Sequence, residues 1–186
     1  MTADERLSVL FVAEDGPTNA TSSTTDDARP FIMGVVHSYL DGQVLVDAAY
    51  VATSEGLVRA LATRLTGADP GPLHHSCPFC GSIEHGRPCL EGPIDVSVAH
   101  AGGLTVVAVS SAGPVGVDVE VDADVTWVRR EAVGKALGVG ILLEYQPEPA
   151  WQSEVPVAGH VAVVALVTEQ EAWEAAARTA TRRTAR

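Results

Sequence analysis

The chain has 186 residues, 46% of them hydrophobic and 19% charged, with 12 Lys or Arg against 24 Asp or Glu and a formal charge of −12. That composition belongs to a folded domain, or to two small halves packed as one, and it excludes a general binder of nucleic acid, because phosphate neutralisation needs cations. An anionic ligand would need a local basic pocket or a metal ion.

Residues 6–13, RLSVLFVA, read as a first strand, and the Thr-, Ser- and Asp-rich stretch after them as a loop. FIMGVVHSYL is apolar and fits strand or helix. From Val44 to Leu65 the pattern reads as helical, with Leu57, Leu61 and Leu65 four residues apart and Gly67 at the stop. DVSVAH, LTVVAVSS and PVGVDVE are valine-rich runs separated by AGG and SAGP, which predicts a three-stranded antiparallel meander. A helix is expected over 127–137, capped by Asp124 or Thr126 and closed by Gly138. Residues 141–156 read as irregular, GHVAVVALVT as a strand, EQEAWEAAAR as a short helix and 175–186 as a basic tail that forms a frayed helix end. Trp151 and Trp173 are expected to pack. His37, His74, His75 and His160 are expected at the surface or at strand ends. No apolar run approaches the ~20 residues of a membrane span. MTADERLSVLFVAE has no basic region ahead of its apolar stretch, so the expected compartment is the cytoplasm.

Two segments carry chemistry. In GVDVE, Asp118 and Glu120 are two apart and share one face of a strand. Such a pair is either a solvated acidic face or a seat for a hard divalent cation such as Mg²⁺, which relieves the repulsion. In the next element, WVRREAVGK, residues Trp127, Glu131 and Lys135 are spaced by four and share a helix face. A third carboxylate could complete a metal shell, and the ammonium could neutralise phosphate oxygens beside it. The second segment is the cysteine loop, where Cys77, Cys80, His85 and Cys89 read C-x2-C-x4-H-x3-C. This spacing is close to a zinc knuckle but one residue short in its last gap. The expectation is a loop that carries no stoichiometric zinc.

Together these motifs resemble the Sfp-type 4'-phosphopantetheinyl transferases. The resemblance rests on HGRP at Gly86 to Pro88, SVAH ending at His100, GVDVE at Gly116 to Glu120, WVRREAVGK at Trp127 to Lys135, and GLVRAL around Arg59. It covers roughly residues 50–168. It implies an α+β fold of two similar halves, each with a small antiparallel sheet and a long helix. The halves would be 1–92, with the coenzyme-binding helix and the HGRP loop, and 93–174, with the metal-binding strand and helix. It implies Mg²⁺-dependent transfer of the phosphopantetheine arm of coenzyme A to a serine of an apo acyl- or peptidyl-carrier protein, by a monomer that binds neither nucleic acid nor membrane. Asp118, Glu120 and Glu131 would hold Mg²⁺, Glu131 would take the serine proton, and Lys135 would stabilise developing charge. Arg59, Arg87, Pro88 and His100 would bind the coenzyme. The family also spells its pre-meander loop with Cys-Gly and His-Gly, so His85 would precede the coenzyme-binding step there. Three departures stand out: Ala99 replaces a phosphate-contacting hydroxyl, Arg130 replaces a lysine, and only six residues separate Glu120 from Trp127, where the family places a few dozen that help dock the carrier. A degenerate relative that binds coenzyme A without catalysis is the alternative.

Overall fold

The computed structural model describes residues 36–49, 54–77, 80–140 and 147–184. The expected first strand at 6–13 lies outside them. The architecture is α+β, with small antiparallel sheets and three α-helices. The first sheet has the order β1 (His37–Tyr39), β2 (Val44–Ala49), β6 (Leu104–Ser110), β5 (Asp95–Ala101). The second has the order β7 (Val115–Glu120), β9 (Val161–Leu166), β8 (Trp151–Val155). A two-stranded ribbon pairs β3 (His74–Ser76) with β4 (Arg87–Cys89). The helices are α1 (Ser54–Thr66), α2 (Val125–Ala136) and α3 (Glu169–Thr184). No described helix is long and apolar enough to cross a membrane.

Strand alternation builds the layers. Val44, Val46, Val106 and Ala108 of the first sheet meet Val115, Val117, Val119 and Val164 of the second in a common core. On the far face of the first sheet, Leu45, Val96, Val107 and Val109 pack under Val58, Leu61 and Ala62 of α1. On the far face of the second, Val163 and Ala165 pack under Val128, Ala132 and Ala136 of α2, with Ala175 of α3 alongside. The order is helix, sheet, sheet, helix.

The meander is corrected. β5 and β6 form a hairpin, but β7 leaves that sheet and pairs with β9. Side chains take over where the ladder stops. Asp95 Oδ2 accepts the Val115 N–H at 2.6 Å, and Ser97 Oγ accepts the Val117 N–H at 3.0 Å. The edge of one sheet is thereby stitched to the edge of the other without backbone pairing. The first sheet takes strands from both sides of residue 92, since β5 and β6 run from Asp95 to Ser110.

Three other expectations change. Residues 44–49 form a strand, not the start of a helix, because β2 is buried on both faces and its apolar run carries no period. Residues 151–155 form an edge strand within the segment read as irregular. The basic tail, read as a helix end, does lie largely in the second half of α3. Trp173 on that helix is 71% exposed and does not pack, whereas Trp151 lies against the core with its ring 5.2 Å from that of Tyr39. Helix α2 starts where expected, with the Asp124 side chain accepting the Thr126 N–H at 2.7 Å.

Candidate metal and anion site between strand β7 and helix α2

The turn from β7 into α2 spans only residues 121–124, with Asp122 in the left-handed region at φ 52°. The helix therefore folds straight back across the strand that precedes it. Gly116 sets how close it comes: a Cβ there would stand 1.9 Å from the Ala132 carbonyl oxygen and 2.4 Å from the Ala136 nitrogen. With Ala132 and Ala136 above it, this is backbone-to-backbone packing. Gly116, Asp118 and Glu120 share the strand face under the helix, because Val115, Val117 and Val119 occupy the core face.

Close approach brings the charged residues together. Asp118, Glu120 and Glu131 each offer a carboxylate oxygen within 4.8 Å of the others. Asp118 is 3% exposed, and its Oδ1 accepts a hydrogen bond from Lys135 Nζ at 2.7 Å. Its Oδ2 is buried with no hydrogen-bond partner among the described residues. A buried carboxylate oxygen in that state is costly unless a cation meets it. Three carboxylates against one ammonium leave two negative charges, the charge of one divalent ion. Hard cations take oxygen ligands at about 2.1–2.5 Å, so one ion could bridge oxygens at this spacing. Glu131 feels the crowding: burial, then the charges of Asp118 and Glu120, push its carboxyl up, while Lys135 pulls it down.

A cavity of about 370 Å³ opens beside the cluster, lined by Arg87, Pro88, Ser97, Lys135 and the 138–140 turn, among others. Lys135 thus belongs to both, facing Asp118 and the cavity. Arg87 is held there by three contacts. It forms an ion pair with Asp95 and donates to the Val115 carbonyl at 3.0 Å and the Ala136 carbonyl at 3.5 Å. Burial pushes the Asp95 carboxyl up, and the Arg87 guanidinium opposes this. Arg87 therefore ties β5, β7 and the end of α2 together at the cavity wall.

The other two coenzyme-binding candidates lie elsewhere. Arg59 and His100 are not among the residues lining this cavity. Arg59 pairs with Asp69 at 2.8 Å on the open surface. The His100 ring Nδ1 is 3.0 Å from Thr105 Oγ1 across the β5–β6 hairpin. Ala99, where a hydroxyl was expected to be missed, is packed into the core between the sheets. Asp95, Ser97 and the Gly138 to Gly140 turn were not singled out from sequence. Asp95 and Ser97 sit two apart on a strand, a pattern indistinguishable from ordinary polar alternation.

No family model matches the chain, and no curated protein matches it.

Proposed function

We propose that this chain transfers the 4'-phosphopantetheine arm of coenzyme A to a serine hydroxyl of an apo acyl- or peptidyl-carrier protein. One observation carries the reading: carboxylate oxygens of Asp118, Glu120 and Glu131 lie within 4.8 Å of one another, Asp118 Oδ2 is buried and unpartnered, Lys135 is paired to Asp118 Oδ1, and a cavity walled by Arg87 opens beside them. Asp118, Glu120 and Glu131 would hold Mg²⁺, which when bound neutralises pyrophosphate oxygens. Lys135 is placed to stabilise negative charge on those oxygens as it develops. Glu131, whose carboxyl is pushed up from its ordinary value by burial and by Asp118, is suited to accept the serine proton. The serine oxygen forms the new bond to phosphorus, the pyrophosphate P–O bond breaks, and 3',5'-ADP leaves with the electron pair. Val121 and Trp127, both exposed at the lip of the β7–α2 turn, offer the carrier an apolar contact.

The alternative, a non-catalytic coenzyme-binding module, draws support from the short link between Glu120 and Trp127, which leaves little surface to dock a carrier.

Intact-mass measurement of several apo-carriers incubated with the protein, coenzyme A and Mg²⁺ separates the two. The expected outcome is a slow phosphopantetheine mass gain on at least one carrier. Glu131→Gln and Asp118→Ala should each remove it, and high carrier concentration should partly compensate for poor docking, since loose placement of a nucleophile costs about 10²-fold. Coenzyme binding by calorimetry with no carrier modified at any concentration would favour the module.

A further inference from the structure

The ribbon of β3 and β4 ends in a loop that holds sulfur and nitrogen ligands at metal-binding distance. Cys77 follows β3 directly. Its carbonyl accepts the Gly81 N–H at 2.9 Å, and its own N–H donates to the Ser82 carbonyl at 3.0 Å, so the loop is folded back on itself. On the return side, Gly86 presses against the first strand: a Cβ there would stand 2.4 Å from the Ser76 carbonyl oxygen, and its φ is +109°. No other residue type fits that contact without moving the backbone. The result is a fixed geometry at the loop's mouth. Cys80 Sγ lies 3.4 Å from His85 Nε2, and ligand atoms of Cys77, Cys80 and His85 all lie within 4.8 Å of one another.

A tetrahedral zinc ion, with bonds of about 2.3 Å to sulfur and 2.0 Å to nitrogen, sets a sulfur and a nitrogen about 3.5 Å apart and two sulfurs about 3.8 Å apart. The Cys80–His85 separation already has that value. None of the three cysteines is in a disulfide. Two thiolates and an imidazole form a borderline-soft set, which selects zinc over Mg²⁺.

We infer that Cys77, Cys80 and His85 bind one zinc ion, with the fourth position open to water. Cys89 is not the fourth ligand. The register opposes it to His74, whereas the loop opens beyond the Ser76–Arg87 pair, so Cys89 lies about two to three strand residues, roughly 7–10 Å, from the cluster. This reverses the expectation of no zinc and corrects the knuckle written with Cys89. The role follows from the position. Cys77 lines the same cavity as Gly86, Arg87 and Pro88, so the ion would clip together the two ends of the segment that forms that wall. The assignment of zinc does not depend on the transferase reading.

The test is measurement of the zinc content of the purified protein, followed by cobalt titration of the reduced full-length protein in excess Mg²⁺ after a chelator has removed its zinc. The expected result is one equivalent of zinc, and with Co²⁺ a thiolate-to-metal charge-transfer band together with the intense visible absorption of a tetrahedral ion. Cys80→Ser and His85→Ala, both at exposed positions, should weaken Co²⁺ binding at least about 100-fold. Cys89→Ser should leave it unchanged. Absence of the charge-transfer band in the reduced protein, or its persistence at full strength in Cys80→Ser, would overturn the inference. Loss of the band in Cys89→Ser would overturn the three-residue ligand set.

Discussion

The two helix-on-sheet layers have the same plan and different outcomes. Each places a helix over a strand that carries a buried aspartate: Asp47 on β2 beside α1, and Asp118 on β7 beneath α2. Under α1, Val58 and Leu61 sit beside Ala62 over Leu45, Val107 and Val109. Under α2, Val128 packs beside Ala132 and Ala136, and where Gly116 meets those two alanines the helix backbone touches the strand. Lys135 therefore reaches Asp118 at 2.7 Å. Asp47 has only the neighbouring Ala48 N–H at 2.7 Å, and among the described residues no cation stands within ion-pair distance of it. Charges were available on both sides, since Arg64 of α1 acts on Asp47 from longer range. What separates a charged cluster from a lone buried acid is the distance of closest approach, and small residues set that distance.

The sharpest way to break this comparison is to push α2 away. Gly116→Ala places a methyl group inside the Ala132 carbonyl, with no flexible side chain to yield. We expect a loss of at least about 3 kcal/mol in chemical denaturation, above the usual range for an overpacked core. The cluster should open as well, and Mg²⁺ binding should disappear even where the variant is still folded. Near-native stability with intact Mg²⁺ binding would mean that the helix approach is not what assembles the carboxylates.

The second effect is smaller and two-sided. Lys135→Ala leaves Asp118 buried and unpaired. Breaking a fully buried pair costs about 3–5 kcal/mol; because Lys135 is 32% exposed on its side chain, about 2–3 kcal/mol is expected here. Removing the ammonium also removes the competitor for the Asp118 carboxylate. Mg²⁺ should then bind more tightly and restore part of the lost melting temperature, while the proposed transfer to a carrier should slow. A variant whose melting temperature ignores Mg²⁺ would count against a cation site at Asp118, Glu120 and Glu131.

Legibility of the sequence divides along the same line. The β7–α2 unit could be read because its spacing is local. Two residues along a strand and four along a helix fix which side chains share a face, and a four-residue turn lets the faces meet. Nothing in that spacing says that Gly116 is a packing residue, which only the Ala132 and Ala136 backbone reveals. Non-local features were opaque. Val44, Leu45 and Val46 are all buried, and a run buried on both sides has no period to betray a strand. The SAGP turn looked like another hairpin, but the partner of β7 is β9, about 45 residues away. The placement of the arginines was equally non-local: Arg87 lines the cavity, whereas Arg59 pairs with Asp69 ten residues on.

The smallest effect sharpens the comparison from the other side. Burial pushes the Asp47 carboxyl up from its ordinary value; the Ala48 N–H, His37 and Arg64 oppose this without cancelling it. The folded chain therefore holds this proton more tightly than the unfolded chain. The stability linked to Asp47 is full below the ordinary aspartate range and is lost as pH rises through its raised value. At neutral pH the ionised group is a liability, held in a layer whose helix stays too far away to help. Asp47→Asn keeps an oxygen for the Ala48 N–H and removes the charge. The variant should melt higher than the parent at pH 7, and the gap should close as pH falls through the raised value towards the ordinary aspartate range. His37, itself pushed down by burial, also acts on Asp47 through its charge, so His37→Gln in both backgrounds isolates the aspartate. A gap of constant size across that range would show that Asp47 is neutralised in a way the neighbouring charges do not account for. A gap of opposite sign would show that the α1 layer does stabilise its acid, and the contrast with Asp118 would fail.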